Sequence, residues 1–368
     1  MAGPSSRGVR SATSHPTPGD PPDVELDPRL SDPQAARLVA RRERETGRLV
    51  PRHLAGIAVA RARARQDAPG PVEDAALVVR DVTVRGAAGP LPARTYLPRT
   101  GSRASVLYLH GGGWALGERD VDDSLCRAIA TGAGVAVLSL GYRLAPEHPY
   151  PAALEDSATL LGALADGDVE GFGGPLVVAG LGAGGQLAAV LALRSRSGFV
   201  PPIVHQSLFC PVLDCDLDRP SHREFGAGLG LSLEDLAWFW RMYVPDRATR
   251  RRPDVSPLRI PDASGLAPAT VVVAGADPLR DEACEYAERL LAAGVDVRRV
   301  LVEGVPHGFV AVPGLVSAAG AVRAATDHLV TTLDRRPPAG PRVVDLRDRA
   351  VTLPTTGVPA GGGLAAGR

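Results

Sequence analysis

Val177-Val178-Ala179-Gly180-Leu181-Gly182-Ala183-Gly184-Gly185 runs straight into Gln186-Leu187-Ala188-Ala189-Val190-Leu191. An apolar, β-branched run without alternation predicts a central parallel strand, because both faces of such a strand are covered. The Ala- and Leu-rich residues after the glycines predict a helix. Strand, sharp turn and helix form the frame of a nucleophile elbow, where a Ser stands at the centre of Gly-x-Ser-x-Gly. Here the centre is Gly182. An elbow nucleophile is held in strained backbone, and glycine takes up positive φ at little steric cost. Glycine therefore keeps the turn while removing the hydroxyl that acyl-enzyme chemistry needs. A glycine turn that cradles phosphate is the competing reading, and motifs elsewhere in the chain weigh against it.

Composition narrows the field. Apolar residues make up 45% of the 368, enough for a sizeable core, and α/β folds of this length form one domain as readily as two. Formal net charge is zero, which gives no global electrostatic case for nucleic acid. Every basic residue is Arg, and the chain has neither Lys nor Asn. Cys126, Cys210, Cys215 and Cys284 form no CxxC pair and no zinc-like spacing, so reduced cytosolic thiols are expected, with no metal and no cofactor. No secretory signal and no membrane span is read from the hydropathy pattern. Expected partners are a small apolar acyl or carbonyl substrate and, as an assembly, a homodimer; nucleic acid and membrane are not among them.

Taken in order, residues 1–30 are rich in Pro, Ser, Gly and Asp and read as disordered. Ser31 or Asp32 caps a helix that opens at Pro33 and runs to about Thr46. A second helix follows Pro51 and reaches about Gln66. These helices carry Arg37, Arg41, Arg42, Arg44, Arg48, Arg52, Arg61, Arg63 and Arg65, a pattern that suits the solvated face of a helical lid. Leu77–Val84 and Ala93–Leu97 read as strands joined by a Gly-Pro turn. Further strands are expected at Val106–Leu109, Val135–Leu140, Ile203–Phe209, Thr270–Ala274 and Val297–Val302. Helices are expected at about 123–131, 152–164, 280–291 and 317–332, with an aromatic helix over 232–243. Strands alternating with helices predict a mostly parallel sheet covered on both faces. After about Asp334 the Pro-, Gly- and Ala-rich chain reads as a loose tail.

Four further motifs now fall in order. They are His110-Gly111-Gly112-Gly113-Trp114, then Tyr142-Arg143-Leu144-Ala145-Pro146-Glu147-His148-Pro149, then Asp277-Pro278-Leu279-Arg280-Asp281-Glu282, then His307-Gly308-Phe309. With them the chain resembles the hormone-sensitive-lipase family of α/β-hydrolases, the bacterial family IV carboxylesterases, over about residues 32–333. The resemblance implies an α/β-hydrolase fold with an eight-stranded, mostly parallel sheet and a helical cap from about 32–67 and 217–250. It implies that Asp277 and His307 are the acid and base of a triad. It also implies that the amides of Gly112, Gly113 and Ala183 form an oxyanion hole, with His110 bracing that loop. The departures are specific. The family's Gly-Asp-Ser-Ala-Gly-Gly reads Gly180-Leu181-Gly182-Ala183-Gly184-Gly185, the Asp common before Tyr-Arg is Gly141, and the common Tyr-Pro is Cys210-Pro211.

A Ser-His-Asp triad needs a hydroxyl to attack, an imidazole to take its proton and a carboxylate to orient the imidazole. Two of the three remain, in the α/β-hydrolase chain order of position 182, Asp277 and His307. The expected function is a carboxylesterase-like enzyme that uses the His307–Asp277 dyad and the oxyanion hole on a small ester or carbonyl substrate. Its chemistry would be water-mediated hydrolysis, or a proton transfer, elimination or cyclisation. The alternative is a non-catalytic ligand-binding or regulatory protein; the plant gibberellin receptors resemble members of the family that lost a triad residue. Cys210 and Ser139, each near a strand end, are the residues that could replace the nucleophile. Trp114, Trp238 and Trp240 are expected to line an apolar substrate pocket, with ordinary core packing as the competing reading.

Overall fold

The computed structural model describes residues 27–46, 52–66, 74–117 and 120–335. Eight strands form one sheet: β1 (Leu77–Gly86), β2 (Gly89–Pro98), β3 (Ser105–Leu109), β4 (Ala136–Leu140), β5 (Leu176–Leu181), β6 (Ile203–Phe209), β7 (Ala269–Ala276) and β8 (Val297–Pro306). Their order across the sheet is β1-β2-β4-β3-β5-β6-β7-β8. The β1–β2 and β2–β4 pairs are antiparallel and the rest are parallel. Every residue of β5 is buried, as its lack of alternation predicts. Val178 faces one core and Val177 and Ala179 the other.

The helices are α1 (Pro33–Thr46), α2 (Arg52–Ala55), α3 (Ile57–Gln66), α4 (Asp123–Ala133), α5 (Ala152–Asp166), α6 (Ala183–Arg196), α7 (Pro220–Phe225), α8 (Leu233–Tyr243), α9 (Arg247–Arg250), α10 (Arg280–Ala292) and α11 (Val316–Asp334). Residues of α5, α6 and α10 fill the core on one face of the sheet, and residues of α4 and α11 fill the other. Asp32 caps α1, its carboxylate accepting from the amides of Gln34 and Ala35 at 2.9 and 3.0 Å. Ser232 caps α8 by accepting from Asp235 N at 3.0 Å.

Three expectations are corrected. The helix after Pro51 is two helices, because Gly56 sits at φ 78° and interrupts the turn between α2 and α3. The first hairpin turns at Ala87 and Ala88, not at Gly89-Pro90. Gly89 pairs with Gly86 and Pro90 with Arg85, beyond the stretch of β2 that pairs with β4, so the missing proline N–H interrupts no ladder there. Strand β8 extends to Pro306 instead of ending near Val302, which brings His307 to the residue next after the strand.

Most of the expected disordered segments at either end, together with Arg48, lies outside the described residues. Within 27–30, Leu30 is buried, and the Arg29 guanidinium donates to the carbonyls of Glu224 and Ala227 at 3.2 and 2.9 Å. From α2, Arg52 donates to Asp235 of α8 at 3.2 Å and to the Gly230 carbonyl at 2.6 Å. These contacts join the two segments expected to build a cap.

Candidate active site

The parallel strands all end at one edge of the sheet, and the site residues are those that come next. His110 follows β3, Gly182 follows β5, Cys210 follows β6, Asp277 follows β7 and His307 follows β8. This is the edge where open α/β sheets bind ligands. His307 Nδ1 lies 2.8 Å from Asp277 Oδ2. Asp277 is 1% exposed, and its other oxygen accepts from Leu279 N at 2.9 Å, so both carboxylate oxygens are fixed. A carboxylate only accepts, so Nδ1 carries the proton, and in the neutral imidazole the lone pair is on Nε2.

That lone pair faces Gly182. The residue has φ 54° and ψ −112°, and α6 starts immediately after it. Its amide donates to Phe209 O at 2.9 Å, and its carbonyl accepts from Gln186 and Val212, both at 3.1 Å. The elbow is therefore pinned at both ends without a side chain. A Cβ built there would lie 3.3 Å from His307 Nε2 and 3.6 Å from Cε1, with no other described atom beyond its chain neighbours within 4 Å.

The loop after β3 is strained in a specific way. Gly112, Gly113 and Trp114 have φ of 103°, 59° and 58° in succession. Such a tight turn leaves successive backbone N–H groups without partners inside the loop, and amides of that kind can receive an anion. No described residue accepts from the Gly112 or Gly113 amide. Ala183 N, at the first turn of α6, adds a helix terminus.

The surroundings hold this strain from several sides. Asp122, 1% exposed, accepts from Gly111 N at 3.1 Å and from the Tyr108 hydroxyl at 2.8 Å. Burial pushes its carboxyl above the usual range, partly offset by those two donors. Gln186 on α6 accepts from Trp114 Nε1 at 3.0 Å and donates to Val255 O at 2.8 Å. Arg61 on α3 reaches the carbonyls of Ala115 and Ala145, both at 2.9 Å, and forks onto Glu147 at 2.8 and 2.7 Å. It holds the Glu147 carboxyl down to about 2. The Phe239 ring of α8 lies against Gly113 where a Cβ would stand. His110 stacks on Tyr142, with centroids 4.1 Å apart, and its carbonyl accepts from the Tyr142 hydroxyl at 2.8 Å.

A family described by its α/β-hydrolase fold matches residues 106–311 of this chain. The esterase LipI of Mycobacterium tuberculosis is 41% identical over 271 residues, covering 72% of this chain and 84% of that protein. The ethyl acetate hydrolase of Pseudomonas putida is 36% identical, covering 69% and 80%. The chain belongs to the α/β-hydrolase family. A thermostable esterase from Pseudomonas putida superposes with a TM-score of 0.77 at 28% identity, over 84% of this chain and 99% of that one. A serine-to-alanine mutant of the esterase rPPE, solved with (S)-Ac-CPA bound, superposes with a TM-score of 0.78, also at 28% identity and over the same 84% and 99%. The protein is thus a carboxylesterase-like α/β-hydrolase.

Within this α/β-hydrolase, the expected site residues separate into two groups. Asp277, His307 and Gly182 meet, Ala183 follows Gly182 directly, and the loop of Gly112 and Gly113 adjoins them where Gly111 approaches Leu181. The tryptophans do not all join them. Trp114 and Trp240 are each 1% exposed; Trp114 stacks on Tyr243 at 4.3 Å and leans on Trp240 at 4.8 Å. Both side chains are core, because the indole of Trp114 is drawn inward by Gln186. Trp238 is half-buried beside Phe239.

Of the two residues considered as replacement nucleophiles, Ser139 is buried within β4, one residue short of its end. Cys210, Asp277 and His307 bring a thiol, a carboxylate oxygen and a ring nitrogen within 4.8 Å of one another, a set that could hold a cation. The Cys210 thiol is buried, and that burial together with the charge of Asp277 pushes it up, which keeps it protonated and unreactive.

Asp122, Arg61, Gln186 and Phe239 were not legible as site residues. Asp122 carried a faint signal as the first half of Asp122-Asp123, ahead of a helix needing only one cap. Gly141 departs from the family pattern for a visible reason: a Cβ there would press on Pro92 at 3.0 Å. Arg143 takes Asp156 instead, at 2.8 Å.

Proposed function

We propose that this protein hydrolyses small carboxylic esters without a covalent intermediate. A water beside Gly182 gives its proton to His307 Nε2 as its oxygen adds to the ester carbonyl. Asp277 holds the imidazole in the tautomer that can accept that proton and balances the imidazolium that forms. The amides of Gly112, Gly113 and Ala183 receive the oxyanion, and the imidazolium returns its proton to the departing alkoxide. The observation that carries this reading is that His307 Nε2 faces the side-chain-free elbow, 3.3 Å from where a Cβ on Gly182 would stand, with no hydroxyl between them. The ester-hydrolase names of the relatives support the substrate class. The complex of the serine-to-alanine rPPE mutant supports a ligand site that outlasts the loss of a hydroxyl. The same geometry would serve a proton abstraction from carbon, leading to elimination or cyclisation.

The second reading is binding without turnover, favoured by the joint change at Leu181 and Gly182. Parallel assay of wild type and His307→Ala on p-nitrophenyl acetate separates the two. Under general-base hydrolysis, His307→Ala loses about 10²–10⁴-fold in rate. Equal rates in the two proteins assign the site to binding.

A further inference from the structure

The geometry points to a zinc site at Cys210, Asp277 and His307, where a thiophilic divalent cation replaces the proton shared by the dyad and holds the enzyme off. The site stands on the three side chains themselves; the shut-off rests on the general-base reading above.

Three donors of different kinds meet after three neighbouring strands. Cys210 follows β6, Asp277 follows β7 and His307 follows β8. Their thiol, carboxylate oxygen and ring nitrogen all lie within 4.8 Å of one another, the one such group of His, Cys, Asp and Glu among the described residues. Cys210 and Asp277 are each 1% exposed, while the His307 side chain keeps 21%. Cys210 stands where the family commonly carries Tyr, which offers no thiol. Its backbone lies in the left-handed region at φ 43°, shared among described non-glycine residues only by Trp114, and its amide donates to Val272 O at 2.8 Å. Such a conformation is strained and persists where the surroundings fix it. Here it holds the thiol beside Asp277, whose charge acts on the sulfur.

The donor set fits zinc. Thiolate, imidazole and carboxylate together select zinc over magnesium or calcium, which take oxygen donors. Tetrahedral zinc, about 2.0 Å from nitrogen and oxygen and about 2.3 Å from sulfur, spaces its ligands about 3.3–3.6 Å apart. His307 Nδ1 and Asp277 Oδ2 now lie 2.8 Å apart, and no pair in the set exceeds 4.8 Å. The first pair has to open by about 0.5 Å and the thiol to draw in by at most about 1.2 Å, and a water completes the coordination that three protein donors leave.

Charge and protons balance. A coordinating thiol is deprotonated, so the Cys210 proton leaves to solvent. The Cys210 thiolate and the Asp277 carboxylate then cancel the charge of the dication, which suits a buried position. Zinc on Nδ1 displaces the hydrogen that points at Asp277, and in the neutral ring that hydrogen moves to Nε2. Nε2 then donates toward Gly182 and no longer accepts, so the base is lost while the metal stays.

The test loads the full chain with Co²⁺, a spectroscopic stand-in for Zn²⁺, and separately titrates Zn²⁺ into p-nitrophenyl acetate turnover, each variant being compared with its own metal-free rate. One cobalt should bind, with a thiolate-to-metal charge-transfer band in the near ultraviolet that Zn²⁺ abolishes by displacement. Cys210→Ser should lose that band. It should also raise the inhibitory Zn²⁺ concentration about 100-fold or more, because losing even an outer hydrogen-bond partner costs a metal site about 10–100-fold. Cys215→Ser with Cys284→Ser, which removes the two half-buried thiols, should keep the band, and Mg²⁺ should not inhibit. If Cys210→Ser does not fold, Cys210→Ala takes its place, and the cobalt spectrum of the Cys215→Ser, Cys284→Ser chain decides by itself. Cobalt bound without the charge-transfer band, or a band that survives the loss of Cys210, overturns the site. A band that depends on Cys210, with His307-dependent turnover unmoved by Zn²⁺, overturns the shut-off. Metal-free protein no faster than His307→Ala removes the general-base reading alone, and the cobalt spectrum still decides the site.

Discussion

His307 and His205 sit in the same molecule under opposite conditions. His205, on β6, is fully buried; its two ring nitrogens lie 3.2 Å from Thr332 Oγ1 and 3.1 Å from Thr270 Oγ1. Its ring meets that of His328 edge-on at 5.1 Å, and burial chiefly, with help from His328, drives its pKa down to about 3. Both ring nitrogens have hydroxyl partners, and burial disfavours a charge on the ring. The His307 side chain is 21% exposed, with one nitrogen fixed by Asp277 and the other facing the side-chain-free Gly182. The contrast separates a packing histidine from a base: a base needs a counter-charge on one nitrogen and room on the other. Each prediction below attacks or refines that distinction.

The largest effect should follow from filling the open side of His307. Gly182→Ser with Leu181→Asp restores the family's elbow sequence and places a hydroxyl next to Nε2. Removing the serine of a working triad costs up to about a millionfold in kcat in the serine-protease case, and the gain should reach several orders of magnitude toward that ceiling. A serine-directed organophosphonate should label residue 182 in the double variant and leave wild type unlabelled. Serine at φ 54° carries strain, so a stability loss of about 1–3 kcal/mol is expected in denaturant melts. A folded double variant without gain would show that the room beside His307 is not positioned for attack.

Next in size is the closed side. Asp277→Asn keeps an oxygen for Leu279 N but can offer its NH₂ to Nδ1, which turns the tautomer so that Nε2 carries hydrogen toward Gly182. Activity should fall about 10²–10⁴-fold, to the level of His307→Ala, and the double variant should fall no further, because the two groups act as one unit. Additive losses would mean that Asp277 acts on something other than His307.

Much of this was legible beforehand. Strand β5 announced itself by an unbroken apolar run, and the motifs at 110–114, 277–282 and 307–309 were expected at the carboxyl ends of strands, where the fold puts His110, Asp277 and His307. What escaped was support from afar. Arg61 reaches a loop 54 residues on, and Gln186 holds a ring 72 residues back. No local periodicity encodes such pairs. The tryptophans escaped for a related reason: residue type shows that an aromatic seeks burial, while the direction of burial is set by tertiary partners such as Gln186 and Tyr243.

The same contrast between enclosed and open groups recurs in α8. Trp240 is enclosed and Trp238 is half-open, although they are two residues apart on one helix. Trp240→Ala should destabilise the fold by about 3–5 kcal/mol, the cost of emptying a core aromatic site. Trp238→Ala should cost under half of that and raise KM for aryl esters if its ring borders the ligand. Equal stability losses would place both rings in the core.

The smallest effect tests the enclosed histidine itself. With a folded pKa of about 3 and an unfolded value near 6.5, His205 binds a proton only in the unfolded chain across that interval. The unfolded state then holds more protons, so stability rises with pH through the window and is lost on acidification below about 6.5. One site contributes about 1.4 kcal/mol per pH unit, or about 2–3 kcal/mol between pH 6.5 and 4.5. The window stops at 4.5 because carboxylates begin to titrate below it. His205→Gln removes the titration while keeping polar atoms for Thr270 and Thr332. Whatever its stability at pH 7, its denaturant midpoint should fall less steeply than wild type's from pH 6.5 to 4.5. Parallel slopes would show that His205 takes up a proton while folded, and the division between the two histidines would then rest on exposure alone.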